Sequence, residues 1–159
     1  MTTLYDFTLK TLDGREQPLS AFRGKPVLLV NVASQCGLTP QYKGLEALHR
    51  EFATKGLVIA GVPANEFGAQ EPGTDSEIQQ FCTSKYDVTF PMFSKIVVKG
   101  PQKHALYTWL TEHAKPAGEV TWNFEKFLIG KDGTIAARFS PKVEPGAPEL
   151  RAAVEKALA

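Results

Sequence analysis

The sequence is poor in cysteine, has little net charge of either sign and lacks long apolar runs. Two cysteines, Cys36 and Cys82, in 159 residues are too few for the disulfide framework of a small secreted scaffold or for a cysteine-rich zinc site. The net charge is +1 and the charged residues are spread along the chain, so no basic stripe favours nucleic acid. The histidines, His49, His104 and His113, lack companion ligands at useful spacing. We therefore expect no metal, no cofactor and no nucleic-acid partner.

Membrane and targeting signals are also missing. No stretch approaches the roughly 20 apolar residues that cross a membrane, and residues 1–6 show no basic region followed by an apolar one. We therefore expect a cytoplasmic protein without stable membrane association. The length suits one compact domain, and there is no internal repeat, low-complexity tract or linker. Residues 1–159 are accordingly predicted to form a single domain.

The first half of the chain predicts a strand, a helix and a second strand. Residues 26–33 form a nearly continuous apolar run, which is typical of a central parallel strand covered on both faces. Thr39 is expected to cap the following helix, with Pro40 at its first position. Residues 57–62 are predicted to form the second buried strand. Crossovers of this kind are almost always right-handed and join parallel strands. Cys36 is predicted to lie in the turn between the first strand and the helix.

Turn and capping signals predict the remaining elements. They indicate an N-terminal hairpin around Asp13-Gly14, a helix that begins with the capping box of Thr74 and Glu77, and a helix over 104–113. A strand over 122–129 is followed by an Asp132-Gly133 turn and a returning strand over 134–139. The chain closes with an amphipathic helix. This order resembles an α/β, thioredoxin-like fold. In such a fold, a central mixed β-sheet is flanked by helices.

The predicted place of Cys36 favours reactivity. Open α/β sheets hold reactive groups at the carboxyl ends of central strands, and a helix N-terminus favours the thiolate, the reactive form of cysteine. The alternative is a small buried hydrophobic residue, but Gln35 and Gly37 are polar or turn-forming neighbours. The stretch from Cys36 to Thr39 lacks the second cysteine of a Cys-x-x-Cys dithiol exchanger. Ala33 stands where peroxiredoxins have Thr or Ser.

Three sequence blocks resemble the glutathione peroxidase family and span nearly the whole chain. They are NVASQCG at 31–37, NEFGAQEPG at 65–73 and WNFEKFLI at 122–129, with FPMF at 90–93 similar as well. Each block alone is weak, but three in order at compatible spacing are specific. The resemblance implies a peroxidase that reduces hydrogen peroxide and organic hydroperoxides at Cys36. In some members selenocysteine holds this position.

The resemblance also implies that Gln70, Trp122 and Asn123 support Cys36. Peroxide reduction develops negative charge on the leaving oxygen, which fixed donors must stabilise. These three side chains supply N–H donors without titrating. Each has a structural alternative: Trp122 as a core residue, Gln70 as a solvated loop residue and Asn123 as a local turn former. A Trp-Asn pair that opens an apolar strand favours the functional interpretation, because a short amide gives little packing there.

Cys82 has two interpretations. The resemblance implies a resolving cysteine, which condenses with sulfenic Cys36 to form an intramolecular disulfide that thioredoxin reduces. The alternative is a core residue on the same helical face as Ile78 and Phe81. A non-enzymatic function also stays open, in which the protein is a peroxide sensor that passes its disulfide to a partner protein.

Several features depart from the family pattern. Glu66 stands where Gln is expected and adds a charge near the predicted site, and Ala64 replaces a cysteine that some relatives carry. The stretch 113–122 is short, without the insertion of tetrameric members, so we expect a monomer. We recognise no basic cluster of the kind that glutathione-using relatives have, so thioredoxin is preferred over glutathione as the electron donor. Lys126 and Lys131 are expected to be solvated.

Overall fold

The computed structural model describes residues 1–159 and contains six strands and four α-helices. The strands are β1 (Thr8–Lys10), β2 (Glu16–Pro18), β3 (Val27–Val32), β4 (Val58–Pro63), β5 (Lys126–Ile129) and β6 (Ile135–Phe139). The α-helices are α1 (Gln41–Phe52), α2 (Asp75–Tyr86), α3 (Ala105–His113) and α4 (Pro148–Leu158). No helix combines the length and the apolar character needed to cross a membrane.

The central sheet is mixed, as the sequence predicts. Its strand order is β4-β3-β5-β6. Strands β3 and β4 are parallel, with Val27 opposite Val58, and are joined through α1. Strand β5 runs antiparallel to β3, with Val27 opposite Ile129, and β6 runs antiparallel to β5. Every residue of β3, β4 and β5 is buried, which explains why these strands read as continuous apolar runs rather than alternating ones.

The two faces of the sheet pack against different helices. Val27 and Leu29 belong to the apolar core on the α3 side, together with the N-terminal segment. Leu28 and Val30 point the other way, into the core formed with α1, α2 and α4. Side chains alternate in this way because successive Cβ atoms of a strand point to opposite faces. Each fully buried Val or Leu stabilises the fold by roughly 1.5 to 3 kcal/mol.

The predicted turns are confirmed. Strands β1 and β2 pair antiparallel around Asp13-Gly14, and Gly14 has φ +86°, as a tight turn of this kind requires. Gly133 joins β5 to β6 with φ +83°, and a Cβ at this position would lie 2.7 Å from the Tyr5 ring. Both the backbone conformation and the close approach of Tyr5 therefore require glycine at 133.

Two predicted element boundaries are wrong. Helix α1 begins at Gln41 without a side-chain cap, and the Thr39 hydroxyl instead holds the preceding turn. The last long strand begins at Lys126 rather than at Trp122, because residues 122–125 form an irregular turn in which Phe124 has φ +69°. The Trp-Asn pair therefore precedes the strand rather than opening it.

Lys126 is buried, not solvated as expected. Its side chain is 0% exposed, and its Nζ donates to the Gln41 Oε1 at 2.6 Å and to the carbonyls of Pro141 and Val143 at 3.0 and 2.5 Å. Burial lowers the pKa of Lys126 to about 8. The three acceptors match the three protons of an ammonium group, so this lysine ties α1 to the segment after β6.

Candidate active site

Cys36 lies in the turn between β3 and α1, as the sequence predicts. Its backbone N–H donates to the Thr39 hydroxyl at 2.9 Å, and that hydroxyl donates to the Ala33 carbonyl at 2.8 Å. The Leu38 N–H donates to the Cys36 sulfur at 3.3 Å. This turn therefore places a backbone N–H donor beside the Cys36 sulfur. Cys36 is 8% exposed, so most of the residue is held within the turn.

Gln70 is joined to this turn through its backbone. The Gln35 N–H donates to the Gln70 carbonyl at 3.0 Å. The Gln70 side chain meets that of Asn123, whose Nδ2 donates to the Gln70 Oε1 at 3.0 Å. Asn123 is fully buried and also donates to the Phe67 carbonyl at 3.4 Å. Because its oxygen is engaged by Asn123, Gln70 is oriented with its own NH₂ group available as a donor.

Trp122 lies beside the same pair and is not a core residue. It is 38% exposed, and its indole packs on Phe67 with ring centroids 5.8 Å apart. A Cβ on Gly68 would lie 3.2 Å from the indole and 3.4 Å from the Gln70 amide. Gly68 thus allows Trp122 and Gln70 to lie close together. The structure therefore brings Gln70, Trp122 and Asn123 into one cluster that is tied to the Cys36 turn.

Asn31 fixes the backbone of the Trp-Asn turn. It is fully buried near the end of β3, its Nδ2 donates to the Trp122 carbonyl at 3.0 Å, and its own carbonyl accepts the Phe124 N–H at 2.6 Å. These two bonds hold the irregular turn at 122–125 against the strand that precedes Cys36. The signal for Asn31 in the sequence is a polar residue within an otherwise apolar strand.

Glu71 is a second residue that the sequence reasoning missed. Its Oε1 accepts the Ser34 N–H at 3.1 Å, and the residue is 1% exposed. Burial raises the pKa of Glu71, while the Ser34 hydroxyl and backbone lower it. The only signal for Glu71 was its position inside the block that contains Gln70. Glu66, whose charge was an open question, accepts the Val98 N–H at 2.7 Å.

Cys82 lies inside α2 and points into the core. Both cysteines are free thiols, Cys82 is 3% exposed, and the two belong to the same apolar cluster as Tyr42. Burial raises the pKa of Cys82 to about 11. The Tyr42 hydroxyl lies beside the Cys82 thiol and has no regular hydrogen-bond partner. In this fold Cys82 is therefore a protonated, inward-facing thiol.

Helix α2 is fixed at its start by a capping box but buries few of its residues. Its first turn carries the predicted capping box, in which the Glu77 N–H donates to the Thr74 hydroxyl and the Thr74 N–H to the Glu77 carboxylate. Of its 12 residues only Ile78 and Cys82 are buried. Near its end, Tyr86 stacks on Tyr42 with ring centroids 5.5 Å apart.

Solved structures define the fold class. A thiol:disulfide interchange protein of the thioredoxin family from Chlorobium tepidum superposes with a TM-score of 0.72, covering 96% of this chain and 93% of that one at 16% identity. The predicted thioredoxin-like fold is thereby confirmed. The crystal structure of Trgpx in its apo form is more similar, with a TM-score of 0.81 and 36% identity over 99% of this chain and 95% of that one.

Sequence comparisons define the family. Residues 4–111 match the family model described as glutathione peroxidase. The chain is 51% identical to the hydroperoxy fatty acid reductase Gpx2 of Synechocystis sp., over 95% of this chain and 96% of that protein. It is 41% identical to the thioredoxin/glutathione peroxidase BtuE of Escherichia coli, over 95% and 94% of the two chains. The chain belongs to the glutathione peroxidase family.

Proposed function

We propose that the protein is a thiol peroxidase that reduces hydrogen peroxide and organic hydroperoxides at Cys36. The observation that carries the proposal is the hydrogen bond from Gln35 to the Gln70 carbonyl, since it ties the cysteine turn to the Gln70–Asn123 pair. The Cys36 thiolate attacks the terminal oxygen of the hydroperoxide and the O–O bond breaks. Sulfur is oxidised to sulfenic acid, and the leaving alkoxide, or hydroxide from hydrogen peroxide, takes a proton to become an alcohol or water.

In this proposal Gln70 and Trp122 act as donors for developing negative charge, and Asn123, whose Nδ2 is engaged by the Phe67 carbonyl and the Gln70 Oε1, holds Gln70 in place. Such donors help most when they are already fixed before the reaction. Asn123 is fixed by burial and by two acceptors, and the Trp122 backbone is held by Asn31. The exposed face of Trp122 gives the site an apolar border, which suits organic hydroperoxides as well as hydrogen peroxide.

Cys82 is proposed to resolve the sulfenic acid. Its sulfur forms a bond with the Cys36 sulfur, and hydroxide leaves and combines with the proton of the Cys82 thiol to give water. A disulfide needs Cα atoms within about 7 Å, and Cys82 faces the core from within α2. We infer that part of α2 opens to bring the two sulfurs together, which is feasible because only two of its 12 residues are buried.

Thioredoxin is the proposed reductant of the Cys36–Cys82 disulfide, with glutathione as the second candidate. The name of the related Escherichia coli protein includes both donors. The test is a coupled assay with peroxide that is run once with thioredoxin, thioredoxin reductase and NADPH, and once with glutathione, glutathione reductase and NADPH. Steady NADPH consumption with thioredoxin supports the proposal. One equivalent of oxidation with a trapped mixed disulfide, and no turnover with either donor, would instead favour a sensor.

A further inference from the structure

Glu71 is a buried carboxyl that the proposed mechanism does not use. Its Oε1 accepts the Ser34 N–H at 3.1 Å, whereas its Oε2 is buried without a hydrogen-bond partner. Its backbone is held on both sides, since its N–H donates to the Asn65 Oδ1 at 2.9 Å and its carbonyl accepts the Lys95 Nζ at 2.9 Å. The Glu71 carboxyl therefore projects from a fixed backbone toward the Cys36 turn.

Glu71 and Gln70 contact the turn as a pair. The Gln70 carbonyl accepts the Gln35 N–H at 3.0 Å, and the Glu71 carboxyl accepts the Ser34 N–H. Two consecutive residues of the loop thus hold two consecutive residues of the turn, directly before Cys36. A single hydrogen bond would let the turn pivot about it, but two adjacent bonds fix its orientation as well. Because Gln70 also binds Asn123, the same bonds set the distance between the sulfur and the donor cluster.

Burial of this carboxyl is costly, which argues that it does more than fill space in the core. Burying a charged group without full hydrogen bonding destabilises a fold. The titratable groups around Glu71 are Lys95, Cys82 and Tyr42, and none of them makes a hydrogen bond to its free oxygen. The Ser34 hydroxyl, itself buried and unpartnered, lies beside the carboxyl. The contacts of the Glu71 carboxyl thus point to Ser34 as its main partner.

We propose that Glu71 is a positioning residue for peroxide reduction, which holds the Cys36 turn in register with Gln70 and Asn123 through its bond to the Ser34 N–H. This inference rests on the proposed function of Cys36. Glu71 touches neither the sulfur nor the substrate in this account and acts through Ser34. It therefore affects the reaction that needs the donor cluster and leaves other reactions of the Cys36 thiol nearly unchanged.

The test uses three variants in a Cys82→Ser background. Glu71→Gln keeps the side-chain length and an oxygen acceptor, Glu71→Met keeps the length without an acceptor, and Glu71→Asp keeps the charge but shortens the reach. Glu66→Met is the matched control, because Glu66 lies in the same loop and also accepts a backbone N–H, at Val98. Circular dichroism verifies that each variant folds.

Two rate constants are measured for each variant: oxidation of Cys36 by hydrogen peroxide and its alkylation by iodoacetamide, which does not use the donor cluster. Misplacement of reacting groups by about 1 Å costs up to roughly 100-fold in rate. We expect oxidation to fall by about 10- to 100-fold in Glu71→Met and Glu71→Asp, and by no more than about threefold in Glu71→Gln and Glu66→Met. Alkylation should change by less than about threefold throughout.

Three results would overturn the proposal. The first is a wild-type oxidation rate in both Glu71→Asp and Glu71→Met. The second is a loss of oxidation rate in Glu71→Gln as large as that in Glu71→Met. The third is a loss of alkylation rate as large as the loss of oxidation rate. Should Glu71→Met fail to fold, the comparison of Glu71→Asp with Glu71→Gln decides alone, because each keeps a polar group at this position. Failure of the proposed function would be seen separately, as a Cys36 that hydrogen peroxide does not oxidise in the Cys82→Ser parent.

Discussion

The two cysteines lie in regions that are built in opposite ways. The Cys36 turn is held by the Thr39 hydroxyl, which bonds Cys36 and Ala33, and by the loop that carries Gln70 and Glu71. Cys82 sits in a helix that buries two of its 12 residues and whose last turn packs mainly through aromatic contacts. A fixed turn suits the reaction with peroxide, which needs aligned donors. A helix that buries few residues suits the proposed step, in which one sulfur travels to the other.

The strongest test of this comparison removes the sulfur of the fixed region. Cys36→Ser should abolish peroxidase activity, because a serine hydroxyl has no comparable activation in this turn. The coupled thioredoxin assay measures the loss, and circular dichroism should show an unchanged fold. Cys82→Ala in the same assay separates loss of the attacking group from loss of the resolving one. Turnover retained by Cys36→Ser would contradict the assignment of Cys36.

The next largest effect is expected from the donors around Cys36. Asn123→Ala should slow oxidation of Cys36 by up to about 100-fold, because it releases the Gln70 amide that it orients, and a fixed oxyanion-type donor contributes roughly 3 kcal/mol. Trp122→Ala should slow it as well. Stopped-flow measurement of Cys36 oxidation reads the rate directly. The matched control is Gln102→Ala, which removes a solvent-exposed side-chain amide outside this cluster. An Asn123→Ala rate equal to that of wild type would leave Asn123 a structural residue.

The docking of helix α2 should depend on pH through Cys82. Burial raises the pKa of Cys82 from its ordinary value of 9.0 to about 11. A raised pKa in the fold means that docking of α2 is stabilised below pH 9 and that this stabilisation is lost as the pH rises to 11. Amide hydrogen exchange in α2 should therefore increase, relative to Cys82→Ala, across this window. Lys126 has a pKa lowered to about 8, so it changes stability with pH in the opposite sense. Because both proteins contain Lys126, the informative quantity is the difference in exchange rate between the wild type and Cys82→Ala. An identical pH dependence in both would contradict the effect.

The smallest effect is expected from loosening the end of α2. Tyr86→Ala removes the stack on Tyr42, and an aromatic pair of this kind contributes about 0.5 to 1.5 kcal/mol. Formation of the Cys36–Cys82 disulfide after peroxide addition should then become about 2- to 10-fold faster. The control is Gln79→Ala, an exposed position on the same helix. Slower disulfide formation in Tyr86→Ala would show that docking of α2 does not limit the step.

Much of the fold was predictable because its signals are local. The buried strands, the turns at Gly14 and Gly133 and the capping box at Thr74 each depend on residues that are adjacent in sequence, and the structure confirms them. The position of Cys36 followed from the strand and helix around it. The grouping of Gln70 with Trp122 and Asn123 did not follow from periodicity. It came from the family resemblance, since these residues meet only in the folded chain.

The errors concern residues whose partners are distant or ambiguous. Thr39 had the local features of a cap, but its hydroxyl bonds the Ala33 carbonyl instead. Lys126 is buried because carbonyls at 141 and 143 reach its ammonium group, and neither is visible from the strand pattern. The late start of β5 depends on a positive φ at Phe124 without glycine. Glu71 was missed because a carboxyl in a polar loop is ordinarily solvated.

The central claim is that a fixed Cys36 reacts first and that Cys82 then reaches it through opening of α2. The most direct measurement treats the reduced wild-type protein with one equivalent of hydrogen peroxide and maps its peptides by mass spectrometry, together with Cys82→Ser. We predict an intramolecular Cys36–Cys82 disulfide in the wild type and sulfenic, then sulfinic, Cys36 in the variant. Wild-type protein with over-oxidised Cys36 and a free Cys82 thiol would contradict it.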